Sequence, residues 1–384
     1  LVDSFDGEGW SLDAEPLAGA VYAGVQRTDS VRLEHLVPVG GEYRLRVRND
    51  QSEIDHVDSV ALRVVDHDPG VEVVPDARGR LHAVRVPLPP ARGHDLRGTP
   101  TAGRLAAPDG NLWVSDPWGR RPDRPEDLRD GVELEFPRPP GTRAAILVIR
   151  AGTTSLGPRV LTQALALQGR ELPAFFTRLN RDPEARAAFE AVREREVLPI
   201  VRVWDGREWR KSGVLHDPPV RVFRDVAVPL NLDGVDGDPL RIRIDGPPGL
   251  WSLDRAVVAW PSEDMFRERR IPLRRAEGES GKVLTDLLAH ADGRRHVLRP
   301  HRDRVTLAFP APPLTPGRAR SVLVEATGFY IPLVPVEGGP QHAAFERLVE
   351  EPGALARFVI EHLRETPDAP APPTERADPS ATGP

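Results

Sequence analysis

The sequence contains no cysteine, which excludes disulfide bonds, thiolate metal sites and a cysteine nucleophile. Its only lysines are Lys211 and Lys282, so arginine supplies nearly all of the positive charge. No apolar run approaches the roughly 18 residues of a membrane-spanning helix, and we expect no membrane span. The chain starts at Leu1 without a basic and apolar leader segment, so we expect it to be a piece of a longer protein with adjacent domains.

An excess of positive charge is also missing. The 384 residues include 52 basic and 58 acidic side chains, and the net charge is −6. Nucleic-acid binders usually carry a basic stripe, so we predict no nucleic-acid partner. The sequence also lacks a P-loop, a dinucleotide fingerprint, a nucleophile elbow and a zinc-binding helix motif. We therefore predict no cofactor, no metal and no catalytic residue, and we favour a non-enzyme while leaving enzymatic activity open.

The most informative feature that is present is an internal repeat. Residues 176–189 recur as residues 345–358, with seven of fourteen positions identical. Weaker matches follow the same order along the chain: residues 5–10 with 204–209, 44–47 with 241–244, 58–60 with 254–256, and 132–139 with 305–312. Self-similarity in a fixed order indicates a duplicated structural unit.

The repeat divides the chain into two units and a tail. Short runs of alternating apolar and polar residues, separated by Gly, Pro and Asp turns, predict antiparallel strands. The predicted fold is mostly β, with two duplicated antiparallel β-sandwich-like units at 1–197 and 198–366, each followed by a short amphipathic helix. We place these helices at about 182–195, capped by Asp182, and at about 352–365. Residues 367–384 are rich in Pro, Ala, Thr and Asp and are predicted to be disordered.

A loop insertion in the first unit carries two tryptophans. The segment around Leu105 to Asp127 is longer than its counterpart in the second unit, and it contains Trp113, Asp116 and Trp118. Two indoles with a nearby acceptor can stack on a sugar and bind its hydroxyls, so these three residues are our ligand-binding candidates. The alternative is that both indoles anchor the loop onto the sandwich, which is common for large aromatic side chains.

Asp66, His67 and Asp68 form a second candidate, a polar cluster at the end of a predicted strand. A histidine between carboxylates can serve as a general base or a metal ligand. Adjacent residues on a strand point to opposite faces, so both carboxylates reach His67 only if the chain turns there. The following Pro69-Gly70 favours a turn, and an ordinary Asx-type turn is the alternative reading of the cluster.

Five stretches together resemble a known bacterial module: residues 34–45, Asp58, residues 64–76, residues 203–206 and residues 250–256. They are similar to the β-rich C-terminal region of FG-GAP or tetratricopeptide repeat proteins of the ASPIC/UnbV (cartilage acidic protein-like) group. The acidic FG-GAP repeats and the helical repeats of those proteins are absent from this sequence. The resemblance implies a non-catalytic accessory module of the cell envelope or a secreted protein, and it transfers no active-site residue.

Two functional hypotheses follow. The first is a non-catalytic binding or structural β-module of a larger exported bacterial protein, with a protein or a glycan as its partner. The second is a carbohydrate-active enzyme or a carbohydrate-binding module built on a β-sandwich. An enzyme of that class needs two carboxylates about 5–9.5 Å apart across a cleft, a separation that only a structure shows.

Overall fold

The computed structural model of the protein describes residues 1–261 and 266–365, and of residues 362–365 it describes the backbone. The strands of the first half are β1 (Val2–Phe5), β2 (Trp10–Ala14), β3 (Arg27–Leu33), β4 (Glu42–Arg48), β5 (Glu53–His67), β6 (Val71–Pro75), β7 (Leu81–Arg85), β8 (Arg92–Asp95), β9 (Trp113–Val114), β10 (Asp130–Phe136) and β11 (Ala144–Thr153). The strands of the second half are β12 (Ile200–Trp204), β13 (Trp209–Val214), β14 (Arg224–Asn231), β15 (Leu240–Gly246), β16 (Trp251–Ala259), β17 (Arg267–Ile271), β18 (Arg275–Gly278), β19 (His296–Leu298), β20 (Arg304–Pro310) and β21 (Ala319–Pro332). The helices are α1 (Leu156–Ala166), α2 (Leu172–Arg181), α3 (Pro183–Glu196), α4 (Thr285–Leu288), α5 (His342–Glu350) and α6 (Ala354–Glu365).

The strands form two antiparallel sandwiches, and the predicted mostly-β fold is confirmed. Sandwich A consists of sheet A1, in the order β18-β20-β4-β1-β2, and sheet A2, in the order β17-β5-β21-β3 with β19 also beside β5. Its core lies between the two sheets and includes Leu45 of A1 and Leu62 of A2, both fully buried. Apolar residues alternate with polar ones along β4 of sheet A1, so one face of that sheet turns to the core, whereas β5 of sheet A2 is buried on both faces from Val57 onward.

Sandwich B has the same strand arrangement. Sheet B1 has the order β8-β10-β15-β12-β13, and sheet B2 the order β9-β16-β11-β14. Its core includes Ile242 of B1 and Leu147 of B2. If β12–β16 are matched with β1–β5, and β8–β11 with β18–β21, the strand orders of the two sandwiches coincide.

The two sandwiches use the chain differently. Sandwich B is continuous, from β8 to β16, whereas sandwich A combines β1–β5 with β17–β21. Pairs such as β4 with β20 and β10 with β15 therefore cross the predicted boundary between residues 197 and 198. The boundary between residues 197 and 198 comes from the sequence repeat, and as a boundary between repeats it stays a prediction. The strands of both sandwiches pair across it.

An Asp-Gly turn joins the first two strands of each set of five. Asp6 accepts hydrogen bonds from the backbone N–H groups of Glu8 (2.9 Å) and Gly9 (2.7 Å). Asp205 does the same for Arg207 (2.8 Å) and Glu208 (2.9 Å). The glycine after each aspartate has a φ near +100°, which favours glycine because a Cβ is disfavoured there. This local chemistry accounts for the match between residues 5–10 and 204–209.

A second recurring aspartate lies at a β-bulge. Asp58 has no partner in the β5–β21 register, and Asp254 has none in the β11–β16 register. Asp58 accepts a hydrogen bond from the N–H of Gly293 (3.0 Å), and Asp254 accepts one from the N–H of Gly110 (2.9 Å). Each bulge thus turns a buried carboxylate toward an Asp-Gly loop from the other half of the chain, which explains why aspartate recurs at this position.

Helices α1 to α3 follow β11 and helices α5 and α6 follow β21, the last strand of each matched set, while α4 lies between β18 and β19. Asp182 accepts hydrogen bonds from the N–H groups of Glu184 (2.9 Å) and Ala185 (3.1 Å), and Pro183 occupies the first turn of α3. The helices expected at about 182–195 and 352–365 correspond to α3 and α6, while α1, α2 and α5 were not predicted. None of the helices in the described residues is long and apolar enough to cross a membrane. The tail predicted to be disordered, residues 367–384, lies outside the described residues.

Candidate functional site

The two candidate tryptophans are not both exposed. Trp113 is 6% exposed and belongs to the core of sandwich B, where β9 pairs with β16. Trp118 is half-buried against the cluster that contains Leu156 and Trp251. Burial of Trp113 leaves no indole face for stacking on a sugar and agrees with the anchoring alternative. Ligand binding by these residues stays a prediction, and it would require Trp113 to leave the core.

The third residue of that candidate site holds the loop together. One oxygen of Asp116 accepts a hydrogen bond from the N–H of Trp118 (2.8 Å), and the other accepts one from the Arg97 guanidinium (2.6 Å). Arg97 also donates to the backbone oxygen of Trp118 (2.7 Å). Both carboxylate oxygens are thus engaged within the turn, as expected for Asx-type turn chemistry.

The polar cluster at the end of β5 is occupied by arginines. Asp66 is 2% exposed and accepts hydrogen bonds from Arg320 (2.7 Å), Arg269 (2.9 Å) and Thr315 (2.7 Å). Burial raises the pKa of Asp66, but the hydrogen bonds from Arg320 and Thr315 outweigh it and lower the pKa to about 2. Asp66 is therefore a fixed anion in an ion-pair network, not a proton acceptor near neutral pH.

The remaining two residues of the cluster are also engaged. The Nε2 atom of His67 lies 3.0 Å from the Ser321 hydroxyl, and its Nδ1 atom lies 3.0 Å from the backbone oxygen of Asp68. Asp68 forms ion pairs with Arg318 and, at 3.4 Å, with Arg85. In the described part of the chain, no group of three or more His, Asp or Glu side chains is arranged to hold a metal ion.

A cavity that sequence reasoning did not predict provides a better candidate. It has a volume of about 330 Å³ and lies where α1, α3 and α5 meet sandwich A. Apolar side chains from four elements form most of its wall: Val57 and Val60 of β5, Val160 and Leu161 of α1, Phe189 of α3 and Phe345 of α5. This central cavity is within the size range of sites for small apolar ligands.

Two neighbouring carboxyl groups line the central cavity. Glu53 and Asp55 are two residues apart on β5 and therefore face the same side of the sheet. Burial and the neighbouring Asp55 raise the pKa of Glu53 to about 9, and burial raises the pKa of Asp55 to about 6. At pH 7 Glu53 therefore keeps its proton while Asp55 is mostly ionised, so the pair carries about one negative charge.

The other acidic groups of the wall are already bound. Glu15 accepts hydrogen bonds from the side-chain amide of Gln51 (2.7 Å) and from the N–H of Arg221 (2.6 Å). Asp217 forms ion pairs with Arg27 (2.8 Å) and with Arg193. Opposite charges and donors therefore compensate these two carboxylates, whereas Glu53 and Asp55 interact with each other and with the amino group of Leu1.

One sequence signal could have indicated this site. Glu53, Asp55 and Val57 alternate along β5, and beyond the bulge at Asp58 the same face continues with Val60, Leu62 and Val64, so two carboxyl groups lie at the edge of a core surface. Carboxylic side chains are almost never left on such a face without a function or a partner. The helices that close the cavity come from distant parts of the sequence, and no local pattern brings them together.

Comparison with known proteins gives no relative from which a role could be transferred. No protein-family model matches the chain, no curated protein is similar to it in sequence, and no solved structure matches its fold. Function is therefore argued from the geometry of this molecule alone.

Proposed function

We propose that this chain is a non-catalytic binding module that takes up an elongated apolar ligand with a cationic or hydrogen-bond-donating head. The observation that carries the proposal is the central cavity, whose wall is mostly apolar and includes the carboxyl groups of Glu53 and Asp55. A mostly apolar cavity with a few convergent polar groups is the usual form of a small-molecule site. The apolar part supplies affinity, and the polar groups fix the orientation of the ligand.

The charge of the carboxyl pair selects the head group. At pH 7 the protonated Glu53 can donate a hydrogen bond, and the ionised Asp55 favours a positive charge. A protonated amine would compensate the buried negative charge, an alcohol would only hydrogen-bond to it, and a second carboxylate would be repelled. The expected order of affinity is therefore amine, then alcohol, then carboxylate.

The apolar wall sets the strength of binding. Each buried methylene of a ligand contributes about 0.8 kcal/mol, so a ten-carbon chain gains about 8 kcal/mol before the cost of association is subtracted. That cost is about 4 kcal/mol or more, which leaves dissociation constants of about 1 mM or weaker unless the head group adds to the affinity. The amine–carboxylate contact is expected to supply this addition.

Titration calorimetry with decylamine, decanol and decanoate at pH 7 tests the proposal. We expect decylamine to bind most tightly and Ala164→Phe, which fills the cavity from α1, to weaken it about tenfold or more. Ala166→Phe is the matched control, because Ala166 lies on the same helix but does not line the cavity. Equal binding by both variants, or equal affinity for decylamine and decanoate, would refute the proposed site.

We also propose that the chain arose by duplication and is part of a larger exported bacterial protein. The duplication is supported by the recurrent Asp-Gly turns, the bulge aspartates Asp58 and Asp254, and the coincident strand orders. The bacterial and exported setting is supported by the resemblance to the ASPIC/UnbV group. Mass spectrometry of the native full-length protein from envelope and culture-medium fractions tests this setting, and recovery from neither fraction would contradict it.

A further inference from the structure

The outer face of sheet B1 carries two arginines that are neutralised by the neighbouring strand. Arg243 donates to a carboxylate oxygen of Glu133 (3.0 Å), and the Arg241 guanidinium lies 3.9 Å from Glu135. Both guanidinium groups also lie over indoles of the same sheet, Arg241 at 5.2 Å from the Trp204 ring and Arg243 at 4.4 Å from the Trp209 ring. Both arginine charges therefore already have carboxylate and aromatic partners within sheet B1.

Sheet A1 repeats the arginines and the aromatic rings. The Arg44 guanidinium lies 5.7 Å from the centre of the Phe5 ring, and that of Arg46 lies 4.2 Å from the Trp10 ring. All four side chains are partly exposed. The rings hold the two guanidinium groups in place, so their positions match those of Arg241 and Arg243.

Sheet A1, however, has no glutamate at the register positions of Glu133 and Glu135, and Asp3, the partner of Arg46 on the other side, is bound by Arg48. In B1 the register pairs Glu133 with Arg243 and Glu135 with Arg241. In A1 the same register positions pair Thr306 with Arg46 and Ala308 with Arg44. Two glutamates have thus been replaced by a threonine and an alanine, while the arginines that they neutralise are retained.

A third arginine lies beside Ala308, one of the two positions that lack a glutamate in sheet A1. Arg275 of β18 pairs with Ala308 from the side opposite Arg44, so the alanine lies between two arginines. Across the described residues, Arg44, Arg46 and Arg275 form no ion pair, and the Nε atom of Arg44 is buried without an acceptor. The carboxylates nearest in the register are Asp3, which Arg48 binds at 2.9 Å, and Glu277, beside Thr306. We call the surface formed by Arg44, Arg46 and Arg275 the arginine face.

We propose that the arginine face binds an extended acidic segment of a protein partner, whose carboxylates take the places that Glu133 and Glu135 occupy on sheet B1. The spacing of the two carboxylates in the partner follows from Glu133 and Glu135, which are two residues apart on β10. Side chains at such positions lie on the same face, about 6.5–7 Å apart along the backbone. The recognised motif is therefore Glu-x-Glu or Asp-x-Asp in an extended conformation.

A peptide fits this face better than an acidic sugar polymer. Sugars bind aromatic rings by stacking on them, but guanidinium groups already cover the rings of Phe5 and Trp10. In sheet B1 the equivalent arginines are neutralised by an acidic protein strand, β10, which pairs with β15. Each carboxylate of the peptide would accept charge-assisted hydrogen bonds from the guanidinium groups of the arginine face.

Fluorescence anisotropy with a labelled Thr-Glu-Val-Glu-Val-Thr peptide and the full chain tests this proposal. We expect binding that weakens as salt rises and a loss of about tenfold or more when both glutamates are replaced by glutamine. The double variant Thr306→Glu, Ala308→Glu restores the carboxylates of sheet B1 and should abolish binding. Arg44→Gln should weaken it without adding any side chain to the face.

The converse experiment removes the two glutamates of sheet B1 and asks whether this sheet then binds the peptide. Glu133→Thr combined with Glu135→Ala frees Arg241 and Arg243, and the number of bound peptides per chain should rise from one to two. Equal binding of the glutamate and glutamine peptides, unchanged binding by the Thr306→Glu, Ala308→Glu variant, or no binding by the unmodified chain would overturn the proposal. Preferential binding of oligogalacturonate over the acidic peptide would also overturn it and indicate a glycan partner.

Discussion

Asp217 joins three parts of the molecule, and its removal gives the most stringent test of how they are held together. It lies in the segment between β13 and β14 of sandwich B, and its side chain is 7% exposed. It pairs with Arg27 of sandwich A (2.8 Å) and with Arg193 of α3. Burial raises the pKa of Asp217, but the charges of Arg193 and Arg27 outweigh it, so the net shift is downward.

The substitution Asp217→Asn removes the charge and keeps the shape. Asparagine also tolerates the left-handed backbone of this position, where φ is +41°. Arg27 would lose its ion-pair partner, whereas Arg193 would keep Glu190 at 2.7 Å, so the loss should lie toward the lower end of the roughly 3–5 kcal/mol that breaking a buried ion pair costs. Because the folded-state pKa of Asp217 is lowered, the stabilisation is present above the ordinary aspartate pKa and is lost as the pH falls below it.

Urea denaturation at pH 7, followed by tryptophan fluorescence, measures this loss. Asp233→Asn is the control, because Asp233 forms an ion pair with Arg143 whose side chains are 58% and 85% exposed. Such an exposed pair contributes about 0–1 kcal/mol. The reasoning is refuted if Asp217→Asn costs no more than this control, or if adding Arg27→Met, which removes the cation left without its ion-pair partner, recovers no stability.

Three further predictions concern the acidic pair, a helix cap and a core indole. The pKa of Glu53 is raised to about 9 in the folded chain, whereas the ordinary pKa of a glutamate side chain is 4.5. Between these two pH values the folded chain keeps a proton on Glu53 that the unfolded chain has released. The free energy of unfolding should therefore fall as the pH rises from 5 to about 9, and Glu53→Gln should flatten this slope in urea titrations at several pH values. Asp182→Ala removes the acceptor at the start of α3 and should cost about 0.5–2 kcal/mol in the same assay, where an unchanged midpoint would contradict the cap. Trp113→Ala should cost about 3–5 kcal/mol through lost core packing, and a loss below about 1 kcal/mol would show that the indole is dispensable.

Local chemistry made part of this fold predictable. The Asp-Gly turn before Trp10 and Trp209, the cap at Asp182 and the alternation in β4 and β15 depend on neighbours within a few residues, and the structure contains all of them. Helix α1 escaped prediction because Gly157 and Pro158 in its first turn are typical of a loop.

The pairing of strands and the candidate sites could not be predicted in the same way. A strand pattern fixes which face is buried, but it does not identify the neighbouring strand, and β4 pairs with a strand more than 250 residues away. The central cavity combines β5 with three helices, and the arginine face depends on which residue of β20 lies beside Arg44. Trp113, which the sequence suggested as a ligand-binding residue, packs in the core of sandwich B instead.

The discontinuity of sandwich A has a consequence for synthesis. Strand β5 ends at His67, and the first partner from the other half of the chain, β17, begins at Arg267. At about 5–20 residues per second, a ribosome needs roughly 10–40 s to make the intervening segment. Sandwich B is complete within that interval, so it can fold while the fifteen-residue strand β5 still lacks its neighbours β17, β19 and β21. Exposed strand edges are prone to aggregation, and the nascent chain therefore has a period in which a holding chaperone would raise its yield most.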